Sequence, residues 1–136
     1  MKNSKKSLLK NNKILFISSS RADYSLIKNT FKLFNADKTF NTRLCVTGTH
    51  LIKNFGNTLS EIYKDKIKPY YKIISNIENI NRSVRDKEIL TLTHEYCKIL
   101  EKFKPCIVII LGDRFELLPL VYFTKLHNIK VCHLHG

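Results

Sequence analysis

Apolar residues fall along this chain in two alternating rhythms. Short unbroken runs of strand length occur at residues 13–18 (KILFIS), 40–47 (FNTRLCVT), 69–74 (PYYKII), 106–111 (CIVIIL) and 129–134 (IKVCHL). Between them the spacing becomes helical. Residues 22–34 place Leu26, Ile27, Thr30, Phe31 and Phe34 on one face. Residues 84–103 turn Ile89, Leu92, Thr93, Tyr96, Ile99, Leu100 and Phe103 inward, and Pro105 stops that helix. A third helix is predicted over 115–127 on Leu117, Leu118, Leu120, Val121 and Phe123. Thr58-x-x-Glu61 has capping-box spacing and predicts a short helix to about Lys64. Residues 51–57 and 75–82 read as loops. Strands alternating with helices predict an α/β fold, a Rossmann-like parallel sheet flanked by helices. The run 106–111, apolar throughout, reads as a strand covered on both faces near the middle of that sheet.

At 136 residues the chain has room for one domain with a core. We assign residues 1–12 to a disordered basic tail and 13–136 to the domain. The last strand ends in HLHG with no crossover helix after it, so the chain reads as the first half of something larger, its carboxy-terminal domain absent. The net charge of +13 admits nucleic acid, a membrane surface or an anionic small substrate. The lysines are spread over the whole length, with one concentration at Lys2, Lys5, Lys6, Lys10 and Lys13. Such a spread speaks against a nucleic-acid stripe. No stretch is long and apolar enough for a membrane span, and the amino terminus lacks the apolar core of a signal peptide. Cys45, Cys97, Cys106 and Cys132 form no CxxC pair, and Cys45, Cys106 and Cys132 fall in strands as small hydrophobes. This usage suits a reducing cytoplasm.

Polar clusters follow four of the strands: Ser18–Arg21, Thr47–His50, Gly112–Arg114 and His133–Gly136. In a parallel sheet all four would gather on one edge, where open α/β folds bind ligands. The first cluster opens a helix, where backbone N–H groups and the guanidinium of Arg21 suit an anion; taken alone, it reads first as a capped helix with a solvated arginine. No GxGxxG is present, which argues against ordinary nicotinamide dinucleotide binding. Asp113 and Arg114 offer an acid or base beside a phosphate fork, or else a surface ion pair closing the turn. Glu116 reads as a first-turn helix residue. His133 and His135 share a strand face, but two ligands are too few for a closed zinc site. His50 either lines the site or sits in a loop. His94 and His127 read as helix-surface residues, and Tyr70-Tyr71 as strand packing.

The motifs Arg21-Ala22-Asp23-Tyr24-Ser25, Val46-Thr47-Gly48-Thr49-His50-Leu51 with Phe55-Gly56, Gly112-Asp113-Arg114-Phe115-Glu116 and His133-Leu134-His135-Gly136, in this order, resemble the hydrolysing UDP-N-acetylglucosamine 2-epimerases of sialic-acid-type sugar biosynthesis. The resemblance implies the amino-terminal half of a two-domain glycosyltransferase-B-type fold with a UDP-sugar bound between the domains. It implies elimination of UDP from UDP-GlcNAc to a 2-acetamidoglucal, then water addition giving N-acetylmannosamine. It further implies Asp113 as a catalytic carboxylate, with Arg21, Ser25, Arg114, His50 and His135 on the UDP-sugar, no cofactor or metal, and a homo-oligomeric full-length protein. The substrate could equally be a related UDP-HexNAc. The 136-residue chain alone is expected to be inactive. The alternative is a non-catalytic nucleotide- or partner-binding α/β module.

Overall fold

Five strands form one wholly parallel sheet in the order β3-β2-β1-β4-β5. The computed structural model describes residues 11–56, 58–75 and 81–135. The strands are β1 (Lys13–Ser18), β2 (Asn41–Val46), β3 (Tyr71–Lys72), β4 (Ile107–Leu111) and β5 (Lys130–Leu134). The helices are α1 (Arg21–Ala36), α2 (Leu59–Lys64), α3 (Arg82–Phe103) and α4 (Leu118–Leu126). Most of the expected tail, five residues of the 75–82 loop and Gly136 lie outside the described residues.

The two-residue alternation along each strand divides the core into two layers. Leu15, Ile17, Cys45, Val108 and Ile110 face α3 and α4, meeting Leu92, Tyr96, Ile99, Leu100, Phe103 and Leu120. Ile14, Phe16, Leu44, Val46, Ile109 and Leu111 face α1 and α2, meeting Tyr24, Ile27, Phe31 and Ile62. Burying a side chain of this size stabilises by about 1.5–3 kcal/mol before entropy is charged against it. This two-sided burial is why 107–111 is apolar without alternation.

Several expectations shift. β4 lies between β1 and β5, one place from the centre; the middle strand is β1. The apolar face of α1 is built on Tyr24, Ile27 and Phe31, with Phe34 half-buried, while Leu26 is 58% exposed. The expected 69–74 strand contracts to Tyr71–Lys72. Pro69 has no N–H to contribute, and the flanking pairing is carried by Tyr70 N to Leu44 O at 2.8 Å and Ile73 N to Val46 O at 2.9 Å. The 115–127 helix begins as a 3-10 turn at Phe115–Leu117 and becomes α-helical only with Pro119 in its first turn. The Thr58–Glu61 capping box does not form: the Thr58 side chain makes no cap hydrogen bond to α2. Cys106 immediately precedes β4, and its thiol donates to Lys13 O at 3.2 Å.

Candidate functional site at the carboxyl rim

Because all the strands run parallel, the ends of β1, β2, β4 and β5 share one edge. The sequence turns polar there. Ser18, Ser19, Ser20, Asp23, Thr47, His50 and Glu116 are all buried, although none is apolar. Burying so many polar groups is tolerable only when they bond to one another.

The loop after β1 shows how they do so. Ser20 caps α1, its hydroxyl accepting from Asp23 N at 3.3 Å. Asp23 reaches back, and its Oδ2 accepts from Ser19 N at 3.2 Å and Ser19 Oγ at 3.0 Å. Ser20-x-x-Asp23 is thus a variant of the capping box expected at Thr58, with the carboxylate returned to Ser19, one residue before the cap. The loop after β2 closes against the same segment. Thr47 N donates to Ser18 O at 3.0 Å, and Thr49 N and Oγ1 both donate to Ser19 O, at 2.9 and 3.1 Å. This approach needs Gly48: its φ is +59°, and a Cβ there would lie 2.6 Å from Ser19 O.

The expected site residues gather on this rim in different states. Arg21 is exposed, with Nε 3.0 Å from Glu61 Oε1 of α2. Ser25 is exposed one turn further on and donates to Ala22 O at 2.8 Å. Arg114 follows β4, with Nε 3.7 Å from Asp23 Oδ2, a contact bridging the β1 and β4 ends. Helices α1 and α4 leave those two strands for opposite faces of the sheet, so this bridge spans the switch point where open α/β sheets form a crevice. Asp113 is exposed beside Arg114. His133 is exposed, its Nε2 2.6 Å from Gly112 O, and His135 is exposed with φ +51°.

His50 differs from the rest. It is buried, with Nε2 2.8 Å from Ser18 Oγ and Nδ1 2.8 Å from Thr58 Oγ1. Desolvation lowers its pKa from 6.5 to about 4, against the opposing pull of Asp23 and Glu61, so the imidazole is neutral at pH 7. Nearby, Tyr24 donates to Asp65 Oδ2 at 2.9 Å and Lys32 approaches Asp65 Oδ1 at 2.7 Å. The Lys32 ammonium and the Tyr24 hydroxyl hold the Asp65 carboxyl below its usual range. Burial, together with that carboxylate, pushes the Tyr24 hydroxyl well above its usual range. These contacts fasten α2 across the rim.

Asp23, Thr58 and Glu61 emerge as site-supporting residues that sequence reasoning did not single out as such. The Ser-x-x-Asp spacing at 20–23 was the available signal for Asp23; nothing local signals Glu61, whose partner lies 40 residues away. Among the described residues no three of His, Cys, Asp and Glu form a group that could hold a metal ion. A cavity of about 700 Å³ lies at the opposite, amino edge, against Pro105, Cys106 and Ile129. It lacks the convergence of buried polar groups seen at the rim.

A sequence model of the UDP-N-acetylglucosamine 2-epimerase family matches residues 32–136. A UDP-N,N'-diacetylbacillosamine 2-epimerase (hydrolyzing) from Legionella pneumophila is 33% identical over 124 residues, covering 91% of this chain and 33% of that protein. A GDP/UDP-N,N'-diacetylbacillosamine 2-epimerase (hydrolyzing) from Campylobacter jejuni is 32% identical over the same length, covering 91% of this chain and 32% of that protein. The chain therefore spans about a third of the length of these curated relatives. Among solved structures, UDP-GlcNAc 2-epimerase from Neisseria meningitidis bound to UDP-GlcNAc superposes with a TM-score of 0.73 at 19% identity, covering 91% of this chain and 32% of that one. That likeness establishes the fold, a parallel α/β domain of the glycosyltransferase-B-like kind.

Proposed function

The chain belongs to the UDP-N-acetylglucosamine 2-epimerase family, and from that premise we propose that it is part of a hydrolysing UDP-HexNAc 2-epimerase. The substrate is UDP-GlcNAc or a related diacetamido UDP-sugar; the products are UDP and N-acetylmannosamine or its analogue. The hydrolysing relatives at 33% and 32% identity support the reaction type. The observation that carries the reading is the gathering of Arg21, Asp113 and Arg114 on one rim, around the β1–β4 switch point.

The chemistry asks for what the rim holds. Elimination removes the C2 proton of the sugar and expels UDP from C1, giving a 2-acetamidoglucal. Water then adds across the double bond, its hydroxyl to C1 and a proton to C2, and the released sugar is the C2 epimer. Charge builds on the departing diphosphate, and guanidiniums aimed at it stabilise that transition state. Arg21 and Arg114 take this role, with Ser25 and His135 contacting the UDP-sugar beside them. Asp113 is the proton-transferring carboxylate. His50 has both ring nitrogens engaged and acts from behind the surface. Neither step requires a metal or a nicotinamide. Among the described residues no helix is long and apolar enough to cross a membrane. We place the protein in the cytoplasm, as a homo-oligomer in a sialic-acid-type sugar pathway.

The test is UDP release from UDP-GlcNAc and from UDP-N,N'-diacetylbacillosamine by the protein expressed in its natural reading frame. One of the two should be hydrolysed, and Asp113→Asn should lower kcat by about 100-fold or more, the usual scale for a lost acid–base group, with UDP affinity kept within about three-fold, well under the cost of one charged hydrogen bond. Full activity in the Asn variant would remove Asp113 from the mechanism; no UDP release from either sugar would remove the reaction.

A further inference from the structure

The hydrogen bonds around His50 have a direction. Ser18 Oγ has a carbonyl to donate to, Ser20 O at 3.4 Å, and this leaves its lone pairs for the imidazole. Nε2 then carries the ring proton, and Nδ1 accepts from the Thr58 hydroxyl. One oriented chain therefore runs from Thr58 through His50 and Ser18 to Ser20. Its ends lie on different elements. Thr58 opens α2, which carries Glu61, the partner of Arg21; Ser20 caps α1, whose first residue is Arg21.

We infer that His50 is a positioning residue: it locks the Ser18–Ser20 turn to the base of α2, so that Arg21 and the first turn of α1 meet the ligand in one fixed geometry. Thr47 and Thr49 tie the turn to the β2 end, and Asp23 ties Ser19 to α1 and, through Arg114, to the β4 end, while the Arg21–Glu61 and Tyr24–Asp65 contacts join α1, not the turn, to α2. The bond to Thr58 carries the tie on to α2. Imidazole suits the task because its two nitrogens point to opposite sides of a rigid ring, one donating and one accepting, whereas a hydroxyl has no such reach. Burial keeps that asymmetry by disfavouring the cation, which would donate from both sides. The Thr58 hydroxyl, expected to cap α2, makes no cap bond and meets Nδ1. This inference rests on reading the rim as the UDP-sugar site.

The experiment compares the protein expressed in its natural reading frame with its Thr58→Val, Thr58→Ser and His50→Asn variants, by amide hydrogen exchange and by calorimetric titration with UDP. Thr58→Val removes the α2 link; His50→Asn keeps an acceptor near the Nδ1 position and removes the Ser18 link. Both should speed exchange at the residue 19–24 amides by about ten-fold, as local opening becomes easier. Both should weaken UDP binding by about five-fold, the scale of one net hydrogen bond. Thr58→Ser, which keeps the hydroxyl, should match the parent in both. Faster exchange confined to residues 59–64, or unchanged UDP affinity in a variant with a loosened turn, overturns the positioning role. Absence of UDP binding by the parent overturns the proposed function instead, and the exchange data still decide the role of His50.

Discussion

Gly48 and His50 stand two residues apart and meet opposite demands. Gly48 is there because no side chain fits: φ is +59° and the Ser19 carbonyl occupies the Cβ position at 2.6 Å. Gly112 also has positive φ, +74°, but nothing lies within 4 Å of its missing Cβ. Gly48→Ala should therefore cost clearly more stability than Gly112→Ala, whose cost should stay near the about 1–2 kcal/mol of a left-handed residue. Urea unfolding midpoints of the two variants test the order. His50 makes a different prediction. Its folded pKa of about 4 lies below the ordinary 6.5, so between those values the unfolded chain binds a proton that the folded chain refuses. The contribution is complete above pH 6.5 and is lost as pH falls through 4, a total of about 3 kcal/mol at most. Of the charged groups around the ring, Asp23 and Glu61 pull this value up and Arg114 pushes it further down. Stability should fall across pH 6.5 to 4 with a slope near one proton, and His50→Asn should flatten that segment.

At the scale of elements, the edge strand β3 is held by more than its short ladder. Arg43 of β2 lies with its Cζ 3.7 Å from the Tyr70 ring centroid and 4.3 Å from that of Phe103, and its Nη1 donates to Tyr71 Oη at 2.7 Å. One planar cation thereby joins β2, the β3 edge and the end of α3. Arg43→Ala should destabilise by about 1–3 kcal/mol, and Arg43→Lys should recover only a small part, because a lysine cannot stack. Chemical denaturation with the two variants measures the split. The element boundaries show which signals were readable. β1 was legible to the residue, because its apolar run is buried on both faces. One feature of α1 was less so: Leu26 and Ile27 are adjacent and equally apolar, and only tertiary packing decides that Ile27, not Leu26, turns inward. The capping box at Thr58 had the right spacing, but Thr58 itself has helical backbone angles, φ −65° and ψ −6°, in place of the extended ones a capping residue needs.

At the scale of the whole molecule, the parallel topology converts four separate polar loops into one rim. The strand order places β1 and β4 side by side and sends their helices to opposite faces, so Arg21 and Arg114 follow the two strands of a switch point, the place where open α/β sheets bind ligands. The chain spans about a third of the length of its curated relatives. A 136-residue polypeptide of this sequence, assayed alone, is expected to release no UDP from UDP-GlcNAc above the uncatalysed rate; a coupled UDP assay with the purified polypeptide checks this. Catalysis of the proposed elimination needs the leaving group and the proton-transferring carboxylate held together, and a single rim encloses the substrate on one side.

The order of apolar runs and helical spacings was enough to determine the α/β class, the parallel sheet and the edge that would carry the polar clusters, because burial on two faces and on one stripe leave different periodicities in a sequence. Which loops touch was decided only by the tertiary structure. Glu61 meets Arg21, Asp23 meets Arg114 and Thr58 meets His50 across separations of 40, 91 and 8 residues, and no local pattern records such pairings. The same is true of His50: its residue type does not record the packing that strips the ring of water and engages both nitrogens.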